Sequence, residues 1–210
     1  MRSLVQLRRL NLSSTNFDQE LWTILRTTKP AHLKTLTVLN LEYCQQLPGE
    51  AAHQMLCEMP SLKIFRANVV DDKQMVEDPQ PWVCLDLEEL TLGLLLTRFS
   101  TEPSVRTLAI KRYLAQVGQL KRLEVLRHFV PRDEQGHRVD DLKVKDGLDA
   151  LKNLRRLRDI NWVHYYNLGE NEARWMLETW PQLETRTRSR LRERVDWGWL
   201  EDIVDLGEIF

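Results

Sequence analysis

The side chains of this 210-residue chain best equipped for chemistry are five histidines, three cysteines and a run of alternating arginines. His32, His53, His128, His137 and His164 follow no HExxH or other metal-ligand spacing. Cys44, Cys57 and Cys84 are odd in number and include no CxxC pair, so they read as reduced, buried thiols rather than a disulfide or a zinc cage. No GxxxxGK[ST] phosphate loop, GxGxxG turn or GxSxG elbow occurs, and there are only eight glycines from which to build one. Asp71-Asp72 and Asp140-Asp141 lie in charged stretches and read as solvated loop carboxylates, because acid-base work needs an enclosed site that shifts a pKa. The expectation is a protein with no catalytic, cofactor-binding or metal-binding residues, and not an enzyme.

The arginines of "TRTRSRLRERV" are Arg186, Arg188, Arg190, Arg192 and Arg194. On a strand they would share one side and form a basic ridge suited to an acidic peptide or a phosphate. On a helix the same alternation scatters them, leaving Arg186, Arg190 and Arg194 as one solvated stripe. The spacing predicts a strand through Arg188, with Arg186 and Arg188 on the ridge, and then a helix from about Leu191. Leu191, Val195, Trp199 and Ile203 follow at steps of four and would cap the open end of a core. Five of the seven tryptophans lie in the last 50 residues. They read as the seal of that end rather than as base-stacking platforms.

Composition narrows the partners. The 30 basic and 31 acidic side chains nearly cancel, which removes the broad electrostatic footprint of a nucleic-acid binder. Hydrophobic residues at 42% and charged residues at 29% are ordinary for a folded soluble protein. The longest apolar run, "LGLLL" at 92–96, is far short of the ~20 residues of a membrane helix. "MRSLVQLRRLNLSS" breaks its leucines with arginines and so lacks the apolar core of a signal peptide. A cytoplasmic or nuclear protein with a protein partner, and neither nucleic acid nor membrane, is expected.

What must position any site is a leucine frame. "LKTLTVLNLEYC" places Leu33, Leu36, Leu39 and Leu41 ahead of Cys44, and "LVQLRRLNLSST" places Leu4, Leu7, Leu10 and Leu12 ahead of Thr15. Further copies carry Leu62, Phe65, Ala67 and Val70; Leu87, Leu90, Leu92 and Leu95; Leu120, Leu123 and Leu126, with His128 at an apolar position; and Leu154, Leu157, Ile160 and Trp162. From Leu10, the anchors Leu39, Phe65, Leu90, Leu126 and Ile160 follow at steps of 29, 26, 25, 36 and 34 residues. The first three steps match a ~20 to 29 residue repeat of strand and helix, and the last two imply insertions.

Between the strands, "NFDQELWTIL" sets Phe17, Leu21, Ile24 and Leu25 at helical spacing, with Asn16 and Gln19 as the N-terminal cap. "PGEAAHQMLCEMPSLK" sets Ala52, Met55, Leu56 and Met59 on one face and stops before Pro60. "NEARWMLETWPQLE" repeats that arrangement 121 residues later with Ala173, Met176, Leu177 and Trp180. "TEPSVRTLAIKRYLAQVGQL" predicts a helix with Val105, Leu108, Ala109 and Tyr113 on one side. Two charged stretches, 69–82 and 131–147, read as surface excursions, the second with a short strand near Leu142 and Val144.

With these residues in view, the chain resembles the leucine-rich repeat proteins, above all the subtype with a cysteine after the strand. "MPSLKIFRANVVDD…PWVCLDLEELTL" and "GLDALKNLRRLRDINW…GENEARWMLETWPQLE" are similar to the repeat region of F-box proteins of filamentous fungi. The resemblance implies an α/β leucine-rich repeat solenoid of about six repeats, with a curved, parallel concave sheet and helices on the convex side. Residues 1–188 would form the repeat domain and 189–210 a helical C-terminal cap. It also implies substrate recognition for a ubiquitin ligase, whose F-box, a module of ~40 to 50 residues, has no room before Leu4. Ligase components are thus expected as partners only with an F-box encoded upstream. The alternative is a free-standing repeat scaffold or inhibitor.

In such a solenoid the residues alternating with the leucines line the concave face and meet the partner. These are Arg9, Asn11 and Ser13; Val38, Asn40 and Glu42; Ile64, Arg66 and Asn68; Glu89 and Thr91; Val125 and Arg127; Asp159 and Asn161. Each of them singly also fits a solvated sheet face.

Overall fold

Apolar and polar residues alternate at each copy of the frame, and each copy becomes a strand because alternation puts one set against a core and the other toward solvent. The computed structural model describes residues 7–97, 102–127, 132–133, 147–161, 169–189 and 191–192. The strands are β1 (Arg9–Asn11), β2 (Val38–Asn40), β3 (Ile64–Asp71), β4 (Glu89–Leu96), β5 (Val125–Arg127), β6 (Arg132–Asp133) and β7 (Asp159–Ile160). They form one parallel sheet in the order β1-β2-β3-β4-β5-β7, with β6 paired to the far end of β4. Leu10, Leu39, Phe65, Leu90, Leu126 and Ile160 are Cα partners in one continuous row, the row of anchors expected from the spacing.

Parallel neighbours need a return leg. It is supplied by α1 (Gln19–Thr28) and α2 (Pro30–Thr35), α3 (Gly49–Glu58), α4 (Asp72–Glu77), α5 (Pro103–Gly118) and a 3-10 helix at Leu148–Asn153, while α6 (Glu170–Thr179) follows β7. Strands β2, β3, β4, β5 and β7 are entered the same way. Residues three and six before the anchor are apolar and buried: Leu36 and Leu33, Leu62 and Met59, Leu87 and Cys84, Leu123 and Leu120, Leu157 and Leu154. From the Met59/Leu62 pair onward, the N–H of the nearer residue donates to the carbonyl of the farther one, as Leu87 does to Cys84 at 3.1 Å and Leu123 to Leu120 at 2.8 Å. These side chains and the inner faces of the helices make one hydrophobic cluster. Leu7, at the edge strand, is 38% exposed.

The turns after β1 and β2 explain the Thr15/Cys44 position. Ser14 and Tyr43 adopt left-handed backbone, φ 59° and 64°. The next N–H then turns back, Thr15 to Leu12 O and Cys44 to Leu41 O, both at 3.2 Å. The Thr15 hydroxyl donates to Leu12 O at 2.7 Å, and the Cys44 thiol, 1% exposed, donates to the same oxygen at 3.1 Å. At Cys44 a small side chain carrying one donor fits a site that is both buried and faced by a carbonyl, while Thr15, in the turn of the edge strand, makes the same bond from an exposed position.

The fold departs from the sequence expectations at several points. On α1 the cap is Asp18, whose carboxylate accepts from Leu21 N, and the buried residue is Trp22, while Leu21 and Ile24 are 46% and 48% exposed. Trp22 wins the inner face because its indole N–H also finds Gln54 Oε1 at 3.0 Å. On α5 the inner face runs through Ala109, Ile110, Tyr113, Leu114 and Val117, leaving Leu108 outside. The stretch 69–82 is no surface excursion. β3 continues to Asp71 and α4 follows, burying Val70, Asp72, Met75 and Trp82. β3 carries one extra residue between Arg66 and Val69, whereas β4 runs on without a turn, so Leu94 and Leu96 point inward and Leu95 does not.

The strand expected through Arg188 is also absent: residues 185–189 are helical. Trp180 and Leu183 repeat the entry geometry, and Glu184 N still pairs with Arg158 O at 2.7 Å. Three residues after Leu183, however, the buried anchor position falls on Arg186. A guanidinium does not enter that core, and the chain turns helical, burying Thr187 and Leu191 instead. Arg186 is exposed and Arg188 donates to Pro181 O, so the two do not share a ridge. Most of 131–147 and of 189–210, including Leu142, Val144 and the remaining cap residues, lies outside the described residues, as do His128 and Trp162.

Candidate binding face of the sheet

Residues on either side of the anchor row point away from the core and form two rows across the strands. One is Arg9, Val38, Ile64, Glu89, Val125 and Asp159, and the other is Asn11, Asn40, Arg66, Thr91 and Arg127, each in Cα register with the next. Asn161 follows β7 directly, its N–H bound to Leu126 O at 3.2 Å. All but Thr91 are half-buried or exposed, and the sequence expectation had placed every one of them on this face.

The two ends of the face differ in chemistry. Toward β7, charges neutralise one another. Arg66 Nε donates to Glu89 Oε1 at 2.8 Å, Glu89 lies 3.6 Å from Arg127, and Arg127 binds Asp159 at 3.0 Å. The Glu89 hydrogen bond raises the Arg66 pKa further, so this arginine stays charged. Thr91 is the register partner of both arginines and is 1% exposed, and its hydroxyl has no hydrogen-bond partner among the described residues.

Toward β1 the face opens into a cleft of about 230 Å³ lined by Arg9, Leu10, Asn11, Val38, Asn40, Ile64 and Arg66. Val38 and Ile64 give it an apolar floor. Asn11 Oδ1 accepts from Ser13 N at 3.1 Å and Asn40 Oδ1 from Glu42 N at 3.0 Å, which orients both amides. Asn68 belongs to the fold as much as to the face: it accepts from Tyr43 N at 2.9 Å and donates to Cys44 O, holding the left-handed turn after β2.

Two polar clusters lie away from this face, and spacing alone predicts neither. On α3, His53 Nε2 is 3.6 Å from Cys57 Sγ, and Trp82 Nε1 donates to His53 Nδ1 at 3.3 Å. The indole thus places the imidazole proton on Nε2, facing the sulfur, while the thiol reaches Gln80 O at 3.6 Å. Burial, with Asp78 and Glu58, pushes the Cys57 thiol up to about 12, and burial pushes His53 down. The histidine donates toward the thiol rather than taking its proton, the reverse of a nucleophile and its base. The four-residue spacing of His53 and Cys57 was the available signal once α3 was recognised as a helix. In the second cluster, Asp72 is fully buried and its carboxylate accepts from the hydroxyl and N–H of Thr97 at 2.7 and 3.0 Å. The Asp71 carboxyl is raised by burial and by Asp72 and Glu50. The reading of this pair as solvated loop charge is overturned, because β3 and α4 carry them, with Asp72 fully buried and Asp71 half-buried.

Among the described residues no group of three or more His, Cys, Asp or Glu could hold a metal ion, and no helix is long and apolar enough to cross a membrane. No protein-family model matches the chain, and no curated protein matches it.

Proposed function

We propose that the chain is a leucine-rich repeat solenoid that binds a protein partner through the open face of its sheet. The observation that carries this is the two-row array, in which strands entered by one repeated turn present in-register polar and aliphatic side chains with an open cleft at one end. Such an array offers orienting polar contacts around apolar anchors, as protein interfaces do. On this reading the ion-paired half sets shape and register, and the cleft half supplies contact energy. Recognition of substrates for a ubiquitin ligase is the most specific form of the proposal. It draws on the resemblance to F-box repeat proteins, and the free-standing scaffold or inhibitor is the same surface without the ligase.

Affinity capture with mass spectrometry tests the reading. Proteins recovered by the wild type should be lost with Ile64→Ala or Arg66→Ala and kept with Glu20→Ala, an exposed change on α1. Co-recovery of cullin-ligase components with the full-length gene product would select the ligase form. Identical recoveries from all variants would sink the proposal.

A further inference from the structure

The polar lining of the cleft over β1–β3 is one-sided. Asn11 and Asn40 each commit their oxygen to a backbone N–H two residues ahead, so what remains to them is the Nδ2 amide, a donor. Neither amide, nor the Arg9 guanidinium, has a partner among the described residues. Arg66 has its charge met by Glu89, with Glu42 adding attraction. Arg9 is therefore the uncompensated cation of the cleft. Backbone carbonyls of β2 and β3 under the cleft offer no counterweight, since they accept in the parallel ladder, as Asn40 O does from Leu12 N and Arg66 O from Leu41 N. A cavity with donors on its walls and Val38 and Ile64 on its floor is matched to a ligand that is all acceptor at one end and aliphatic beside it.

From this, and resting on the reading of the open face as a protein-binding surface, we infer that the cleft takes an acidic side chain of a partner's extended segment. Its carboxylate lies among Arg9, Asn11 and Asn40, and an adjoining aliphatic residue lies on Val38 and Ile64. A chain-terminal carboxylate is the poorer occupant. Such groups are captured by nests of free backbone N–H, and here the N–H groups of β2 and β3, on which the aliphatic floor stands, are consumed in the sheet. The ion-paired half of the face repels neither end of such a segment and gives its neighbouring residues a neutral bed.

The test is selection of a displayed library of random linear peptides, not anchored through their C-termini, on the full chain. Arg9→Ala, Asn40→Asp and Ile64→Ala are then assayed against the selected peptides. Asn40→Asp keeps the oxygen that accepts from Glu42 N, so its melt should match wild type while the donor is replaced by a negative charge. Enrichment of aspartate or glutamate beside an aliphatic residue is expected. Binding should weaken at least about tenfold with Asn40→Asp and with Arg9→Ala. Peptides lacking an acidic residue but still dependent on Ile64 would overturn the carboxylate inference and leave the face reading standing. Peptides that bind only with a free C-terminal carboxylate, or an unenriched library, would also overturn it. Binding indifferent to all three variants would overturn the inference and the face reading together.

Discussion

Arg66 and Glu89 meet diagonally across adjacent strands, Nε to Oε1 at 2.8 Å, because Arg66 is in register with Thr91 and Glu89 with Ile64. With side chains 32% and 15% exposed, the pair is half in water. Its contribution to the fold is correspondingly small, up to about 1 kcal/mol. Arg66→Ala should leave the urea midpoint nearly unchanged while abolishing partner recovery; a large shift in the midpoint would reassign Arg66 to the core of the fold.

Val38 and Leu39 are neighbours on opposite faces, half-buried and 3% exposed respectively. Leu39→Asp should remove the cooperative thermal transition, since an unpaired buried carboxylate costs several kcal/mol or neutralises itself. Val38→Asp should fold. A wild-type melt for Leu39→Asp would show the register to be wrong.

Asp72 is held between strands and helix by Thr97. Asp72→Ala should lower the unfolding free energy by about 3 kcal/mol and Thr97→Val by about half that, as hydrogen bonds to a charged group are lost. Urea denaturation followed by circular dichroism measures both, and equal losses would contradict the single-hydroxyl change in Thr97→Val.

Asp71 and His53 give opposite pH dependences. The Asp71 carboxyl is raised above 3.8, so the fold favours its neutral form, and that contribution is lost as pH rises through the raised value. Asp71→Asn should therefore be more stable than wild type at pH 7, with the gap closing below pH 3.8. His53 is lowered from 6.5, so its contribution is complete above pH 6.5 and is lost as pH falls through the lowered value. His53→Gln should flatten that acid-side slope in thermal melts across the pH series.

Much of this architecture is legible in the spacing of leucines. An anchor buried in a parallel sheet must be apolar, and its neighbours must alternate, so Leu39, Phe65 and Ile160 announce their strands and Asn40 and Arg66 their opposite face. What spacing does not carry is competition for one helix face. Trp22 displaces Leu21 and Ile24 because it brings both area and a hydrogen bond, which periodicity does not weigh. Nor does polarity reveal Asp72, whose burial depends on a partner 25 residues away. Arg186 shows the converse: the apolar frame fails at one residue, and among the described residues β7 is the last strand of the sheet.

The two long central strands have a consequence for how the molecule opens. β3 and β4 each span eight residues and pair again beyond the bulge, where β4 also takes β6, whereas β1, β2, β5 and β7 are two or three residues long. In a sheet built by stacking strands one beside the next, opening begins at the ends. Amide hydrogen exchange should thus be slowest in Phe65 and Leu90 and fastest in β1 and β7. The cleft spans the frayed edge and the slow centre, so an occupant that bridges Arg9 to Ile64 would clamp β1 shut and carry exchange protection outward to it.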